Sequence, residues 1–220
     1  MPSIDQSKKI FILGSIALGV LMIVGIVWAV AADINAGSGN GPAPTFNDAN
    51  DPTSGPADAK VTVRMYSDLE CPACQQAEDG LRYAMKTYGD RVRFVWNDFP
   101  LQAIHPNALL AADAARAADA QGKFWEYSQR LYEDQPNWAS LPDPTDKLIA
   151  YAQALDLDVK TFTDALTNRT YQDKVMADLD EGSKLGIDGT PVFFINDKRI
   201  VGAMDHATWD KEIQAALNGK

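Results

Sequence analysis

The chain has 220 residues, of which 46% are apolar and 23% charged, with a formal net charge of -10. That is enough for one ordinary domain and some chain to spare, and it excludes a chain disordered throughout, a collagen-like chain and a multi-pass membrane protein. The acidity argues against a nucleic-acid partner, which needs a basic footprint, and two cysteines are too few for a disulfide-rich scaffold or a four-cysteine zinc site.

Residues 1–9 hold Asp5, Lys8 and Lys9 and are expected in the cytoplasm. Ile10 to Ala32 follows without a charge. At about 1.5 Å per residue this run can cross a hydrocarbon core of about 30 Å. Lysines before it and Asp33 after it predict an N-terminus inside and everything later outside. The alternative is a secreted protein cut from a signal peptide near Ala31, since Ala29-Val30-Ala31 is an A-x-A site. The run exceeds the usual apolar core of such peptides, about 7–15 residues, so an uncleaved anchor is the expectation. Residues 33–56 turn to Gly, Pro, Asn, Ser and Ala without apolar periodicity and read as a flexible linker.

The folded domain is expected over 57–220. Val61 to Tyr66 alternates and is β-rich, so it predicts a strand. A helix follows, with Leu81, Met85 and Tyr88 on one face and Gly89 at its end, and Arg91 to Trp96 is a second strand. Strand, helix, strand predicts a parallel unit. A helical insertion spans about 103–186. It opens at His105-Pro106-Asn107 with an alanine-rich helix, whose wet face is marked by Asp113, Arg116 and Asp119 and whose buried face by Leu109 and Ala112. Thr170 to Asp173 reads as a near capping box for its last helix. Val192 to Ile195 is a third strand, Asn196-Asp197 a hairpin turn, Lys198 to Val201 the return strand, and Asp205 to Leu217 a closing helix. Without the insertion the wiring is an α/β sandwich lacking one edge strand.

The chemistry is expected at Cys71-Pro72-Ala73-Cys74, where the first strand hands over to the first helix. Two cysteines at this spacing can close a small disulfide loop. The first would sit at a helix N-terminus, whose partial positive charge favours a thiolate. Pro72 suits an opening helical turn. By itself the motif leaves other readings open: half a metal site, a haem attachment or two unrelated buried thiols. Haem attachment needs a following His, where Gln75 stands, and His105 and His206 are far away for metal ligands. In an oxidising compartment a lone vicinal pair is best read as redox. A second element is Gly189-Thr190-Pro191-Val192 at the entry to the third strand, where a cis Thr190-Pro191 bond competes with a plain trans loop proline.

These two motifs, with Ser67-Asp68-Leu69-Glu70 before the cysteines and Gln121 to Trp125 in the insertion, resemble the DsbA-like thiol:disulfide oxidoreductases of the thioredoxin superfamily, of the membrane-anchored bacterial type. The resemblance covers about residues 55–217. It implies a thioredoxin fold with an inserted helical domain. It implies Cys71 as nucleophile, Cys74 as buried resolving thiol, Pro72 and Ala73 as the active-site dipeptide, and Thr190 and cis Pro191 as a substrate-binding pair. No cofactor or metal is required, because the disulfide carries the two electrons. The implied partners are cysteine-containing exported proteins and, for reoxidation, a membrane quinone-linked protein. Disulfide donation outside the cytoplasmic membrane is the expected function. A reductase or isomerase of the same fold and a non-catalytic protein-binding or metal-carrying module are the alternatives. Ala73 stands where the best-known members have His, and the charge of Glu70 beside Cys71 is expected to raise the thiol pKa.

Overall fold

The computed structural model describes residues 43–219. The expected cytoplasmic stretch, membrane segment and first ten linker residues lie outside them. Among the described residues no helix is long and apolar enough to cross a membrane.

The order along the chain is β1 (Thr53–Ser54), β2 (Val61–Ser67), α1 (Pro72–Tyr88), β3 (Val92–Asp98), α2 (Ala108–Asp119), α3 (Phe124–Glu133), a 3-10 turn (Gln135–Asn137), α4 (Thr145–Ala154), α5 (Val159–Asn168), α6 (Gln172–Lys184), β4 (Val192–Ile195), β5 (Lys198–Val201) and α7 (His206–Leu217). The strands form one sheet in the order β1-β3-β2-β4-β5. Only β2 and β3 are parallel, in a register that pairs Val61 with Val92 and Ser67 with Asp98. The architecture is a mixed α/β thioredoxin-like fold in which five helices separate β3 from β4.

Period-two alternation decides which side chain meets which layer. Val61, Val63, Met65, Phe94, Trp96, Phe193 and Ile195 face the large core with α1 and α7. Tyr66, Val192 and Phe194 turn to the other face and pack with Phe99 and Ile187. Helix α1 lies tightly on the loop before α7. A Cβ at Gly80 would stand 2.2 Å from the Met204 carbonyl oxygen, so a residue without a side chain lets the two meet.

Four expectations are corrected. The linker does not run to residue 56, for residues 46–54 are fastened to the domain as a strap. Thr53 and Ser54 pair antiparallel with Val95 and Phe94, supplying the edge strand missing from the wiring. Asp48 takes a two-pronged ion pair from Arg64, at 2.7 and 2.8 Å, and Phe46 packs edge-on against Phe194. Turn-forming composition hides this because the strap is held by a few side chains rather than by a regular ladder.

The expected wet face of α2 is dry at two of its three markers, with Asp119 half-buried. Asp113 and Arg116 are buried. Arg116 bonds Asp98 at 2.6 Å, Asp51 at 2.9 Å and also Asp178, while Lys174 bonds Asp51 at 2.5 Å and Asp178. Burial is tolerated because Arg116, Lys174, Asp51, Asp98 and Asp178 each meet an opposite charge and Asp113 accepts a backbone N–H. The helix itself begins at Ala108, two residues later than Pro106 suggests. The capping box before α6 does not form. Its cap position is Tyr171, whose backbone N–H donates to Asp113 Oδ1 at 2.9 Å.

Candidate functional site

Strand β2 ends at Ser67 and α1 starts at Pro72, so four residues make the turn that carries Cys71. Asp68 organises that turn. Its carboxylate accepts the backbone N–H groups of Glu70, at 2.8 Å, and Leu101, at 2.9 Å, and contacts His105 Nδ1 at 2.7 Å. The Cys71 N–H donates to the Asp68 carbonyl at 3.1 Å. From the 3-10 turn, Gln135 Nε2 donates to the carbonyls of Leu69, at 2.8 Å, and Cys71, at 3.2 Å. The loop is thus braced from both sides, and its backbone groups find partners although water is excluded.

Cys71 is the N-cap of α1, with extended backbone (φ -72, ψ 123), and Pro72 occupies the first turn. Pro72 and Ala73 are exposed and Cys74 is buried. Both cysteines are free thiols. The Thr190-Pro191 bond is cis, and Cys71 Sγ lies 3.7 Å from the Thr190 carbonyl oxygen. Cys71, Cys74, Thr190 and Pro191 therefore stand at one place, with Pro191 and Cys74 lining the same small cavity.

The two sulfurs are electrostatically unlike. A hydrogen bond from the Cys74 thiol holds Cys71 down to about 5, against the effect of burial, and the N–H groups of Ala73 and Cys74 add to it. These donors stand at the first turn of a helix, where the backbone favours an anion. Burial, then the hydrogen bond with Cys71, pushes Cys74 well above the ordinary thiol range. At neutral pH the pair is one thiolate and one thiol that share a proton bond.

The expected effect of Glu70 on Cys71 is corrected. Its carboxylate turns away and accepts the Asn107 N–H at 2.7 Å, at the start of α2, and burial raises its own pKa. His105 pairs with Asp68, and His206 stacks on Tyr83 with its Nε2 2.9 Å from Asp79. Neither histidine stands with a cysteine, and among the described residues no group of three metal-ligating side chains occurs. Sequence reasoning missed Asp68, Gln135, Ser67 and Tyr132 as the braces of the site. Ser67 Oγ and Tyr132 Oη are 2.9 Å apart across 65 positions. No local pattern marks such a pair.

The family described as Thioredoxin matches residues 47–215. BdbD from Bacillus subtilis, in a structure of its oxidised form, is 25% identical, covers 82% of this chain and 100% of its own, and superposes with a TM-score of 0.71. The thiol-disulfide exchange protein alpha-DsbA2 from Wolbachia pipientis is 19% identical, with 76% of this chain and 87% of that one covered, at a TM-score of 0.67. A different kind of relative is the Na(+)/H(+) antiporter NhaA 3 of Salinispora tropica, 41% identical over 149 residues, which are 68% of this chain and 22% of that protein. The chain spans about a quarter of the length of the curated antiporters it matches.

Proposed function

Since the chain belongs to the thioredoxin family, we propose that it is a thiol:disulfide oxidoreductase that donates a Cys71–Cys74 disulfide to cysteine-containing exported proteins. The observation that carries this reading is the unlike pair of sulfurs, Cys71 held down to about 5 beside a Cys74 pushed well up. A thiolate this favoured stabilises the dithiol form, and a stable dithiol makes the disulfide an oxidant. A substrate thiolate attacks Cys71 Sγ, the Cys71–Cys74 bond breaks, and its electron pair leaves on Cys74. A second substrate thiolate then attacks the mixed disulfide and releases Cys71 as thiolate. The substrate loses two electrons and gains a disulfide, and the pair becomes the dithiol. Thr190 and Pro191, beside Cys71, are the proposed contact for the substrate backbone, in the manner of an added strand.

The proposed place of work is outside the cytoplasmic membrane, with the charge-free run 10–32 as anchor, and a quinone-linked membrane protein as the reoxidant. The sequence of that run and the two lysines before it support the placement. The antiporter name belongs to proteins of which the matched stretch is a minor part. Among the described residues no helix is long and apolar enough to cross a membrane, so ion transport is not proposed for them.

The test is the equilibrium potential of the full chain, titrated with glutathione, with thiols trapped for mass measurement. A value between about -170 and -120 mV is expected of a disulfide donor, and one below about -230 mV transfers the reading to reduction. A chain that shows no reversible two-electron step is not an oxidoreductase.

A further inference from the structure

The turn that carries Cys71 joins β2 to α1, yet one of its holders comes from the helical insertion. Gln135 opens the 3-10 turn that follows α3 and is buried. Its Nε2 gives one N–H to the Leu69 carbonyl, at 2.8 Å, and the other to the Cys71 carbonyl, at 3.2 Å. The two acceptors differ in need. The Cys71 carbonyl also takes the Gln75 N–H, at 3.1 Å, the first hydrogen bond of α1. Among the described residues the Leu69 carbonyl has no other partner, and Leu69 is 2% exposed. Without Gln135 a buried carbonyl is left unpaired, and the turn must rotate to find a donor.

Gln135 is itself held firmly. Its own carbonyl accepts the N–H groups of Trp138, at 3.2 Å, and Ala139, at 2.9 Å, and the buried Trp138 indole donates to the Leu131 carbonyl at 2.8 Å. A reciprocal bond runs the other way, from Gln75 Nε2 of α1 to the Tyr132 carbonyl near the end of α3, at 2.7 Å. Amide-to-carbonyl bonds thus join the insertion and the sulfur-bearing turn in both directions. None of these groups carries a charge, so what Cys71 gains from them is position. It keeps the extended backbone of an N-cap (φ -72, ψ 123), with the unpaired N–H groups of the opening helical turn ahead of it.

We propose that Gln135 is a positioning residue for Cys71: by holding the Leu69 and Cys71 carbonyls it keeps the sulfur over the opening N–H groups of α1, so that a residue of the helical insertion sets how strongly the disulfide oxidises. Hydrogen bonds weaken steeply with distance and angle. A small rotation of the turn therefore withdraws support from the Cys71 thiolate, which the N–H groups of Ala73 and Cys74 help to hold down. The dithiol form becomes less stable and the disulfide a weaker oxidant. Gln135 itself moves no proton and no electron.

The inference rests on the disulfide-exchange reading, and the experiment separates the two. Full-length wild type, Gln135→Met, Gln135→Asn and Tyr127→Phe are compared. Methionine keeps the length without a donor, and asparagine keeps the amide one methylene short. Tyr127→Phe removes a buried hydrogen bond to the Leu148 carbonyl elsewhere in the insertion, and so controls for general loosening. Two quantities are read: the midpoint of the Cys71 thiolate absorbance, and the equilibrium with glutathione at a series of pH values. In Gln135→Met the midpoint is expected to rise by about one pH unit, and the equilibrium at about pH 7 to move about tenfold toward the disulfide. That gap should close toward about pH 4, where Cys71 is protonated in both chains. Gln135→Asn recovers part of both shifts, and Tyr127→Phe melts earlier but moves neither. An unchanged midpoint and equilibrium in Gln135→Met overturn the proposal. So does a gap that persists at about pH 4, or an equal shift in Tyr127→Phe, because either is a loss of packing alone. If Gln135→Met does not fold, Gln135→Asn is read by the same criteria. A wild type with no reversible two-electron step overturns the exchange reading itself, and this inference with it.

Discussion

The turn that carries Cys71 and the cluster around Arg116 are both buried polar regions at the same end of the sheet, reached from Ser67 and Asp98, which pair in register. They use burial in opposite ways. Around Arg116 every charge is answered by a nearby opposite one, and the result is a tie between the strap, β3, α2 and α6. At Cys71 a negative sulfur is held by donors that carry no full charge: a thiol and two backbone N–H groups. A counter-ion would fix the sulfur as an anion and blunt it. Neutral donors stabilise it and still let it attack. The difference separates a region built to stay closed from one built to react.

That contrast can be broken at either end. Cys71→Ser is expected to abolish exchange with a thiol or disulfide peptide, while urea unfolding of the reduced chain at pH 5, where the thiolate adds little, stays within about 0.5 kcal/mol of wild type. Retained exchange would remove Cys71 from the chemistry. Arg116→Met leaves three buried carboxylates facing one lysine and is expected to cost about 3–5 kcal/mol in urea unfolding. The glutathione potential of the folded fraction should not move. If it does, the two regions are one.

The pH dependence of stability sharpens the contrast further. The Cys71 thiol is depressed to about 5 in the folded reduced chain from an ordinary value of 9.0. The stabilisation is complete above that ordinary value and is lost as pH falls through about 5. Between pH 5 and 7 the reduced chain should gain about 2 kcal/mol over Cys71→Ala. Asp178 has the opposite sign. Three carboxylates meet two cations in its cluster, and burial, then the charge of Asp98, pushes Asp178 up to about 7. Its contribution is present below the ordinary carboxylate range and fades as pH rises through about 7. Asp178→Asn should therefore narrow the stability lost between pH 5 and 8, as read by melting at a series of pH values. The smallest effect is expected at the strap, where Asp48→Asn loosens its ion pair with Arg64 at a cost of about 1 kcal/mol.

How much was legible follows from the range of each interaction. Val61 to Tyr66 announces itself because alternation is local, Val192 to Ile195 because a short apolar run is, and the cysteine motif because its members are three positions apart. Arg116 was misread for the same reason. Charges at 113, 116 and 119 trace a polar stripe on a helix wheel, and nothing nearby tells that Arg116 will meet Asp51 and Asp178, 65 and 62 residues away. The strap was hidden by composition, since Gly, Pro and Asn describe a chain without regular structure but not one without contacts.

The strap also settles how a mechanical load would enter the domain. A pull applied at residue 43 first meets Asn47, whose N–H holds Glu181 at 2.9 Å, then the Asp48–Arg64 pair, then Asp51 in the Arg116 cluster, and only then the short ladder of β1 on β3. These fasteners anchor in α6, β2, α2 and β3, so tension is divided among four elements before it reaches the turn after β2. A reactive sulfur that depends on donors placed to within fractions of an ångström is thereby kept out of the line of force.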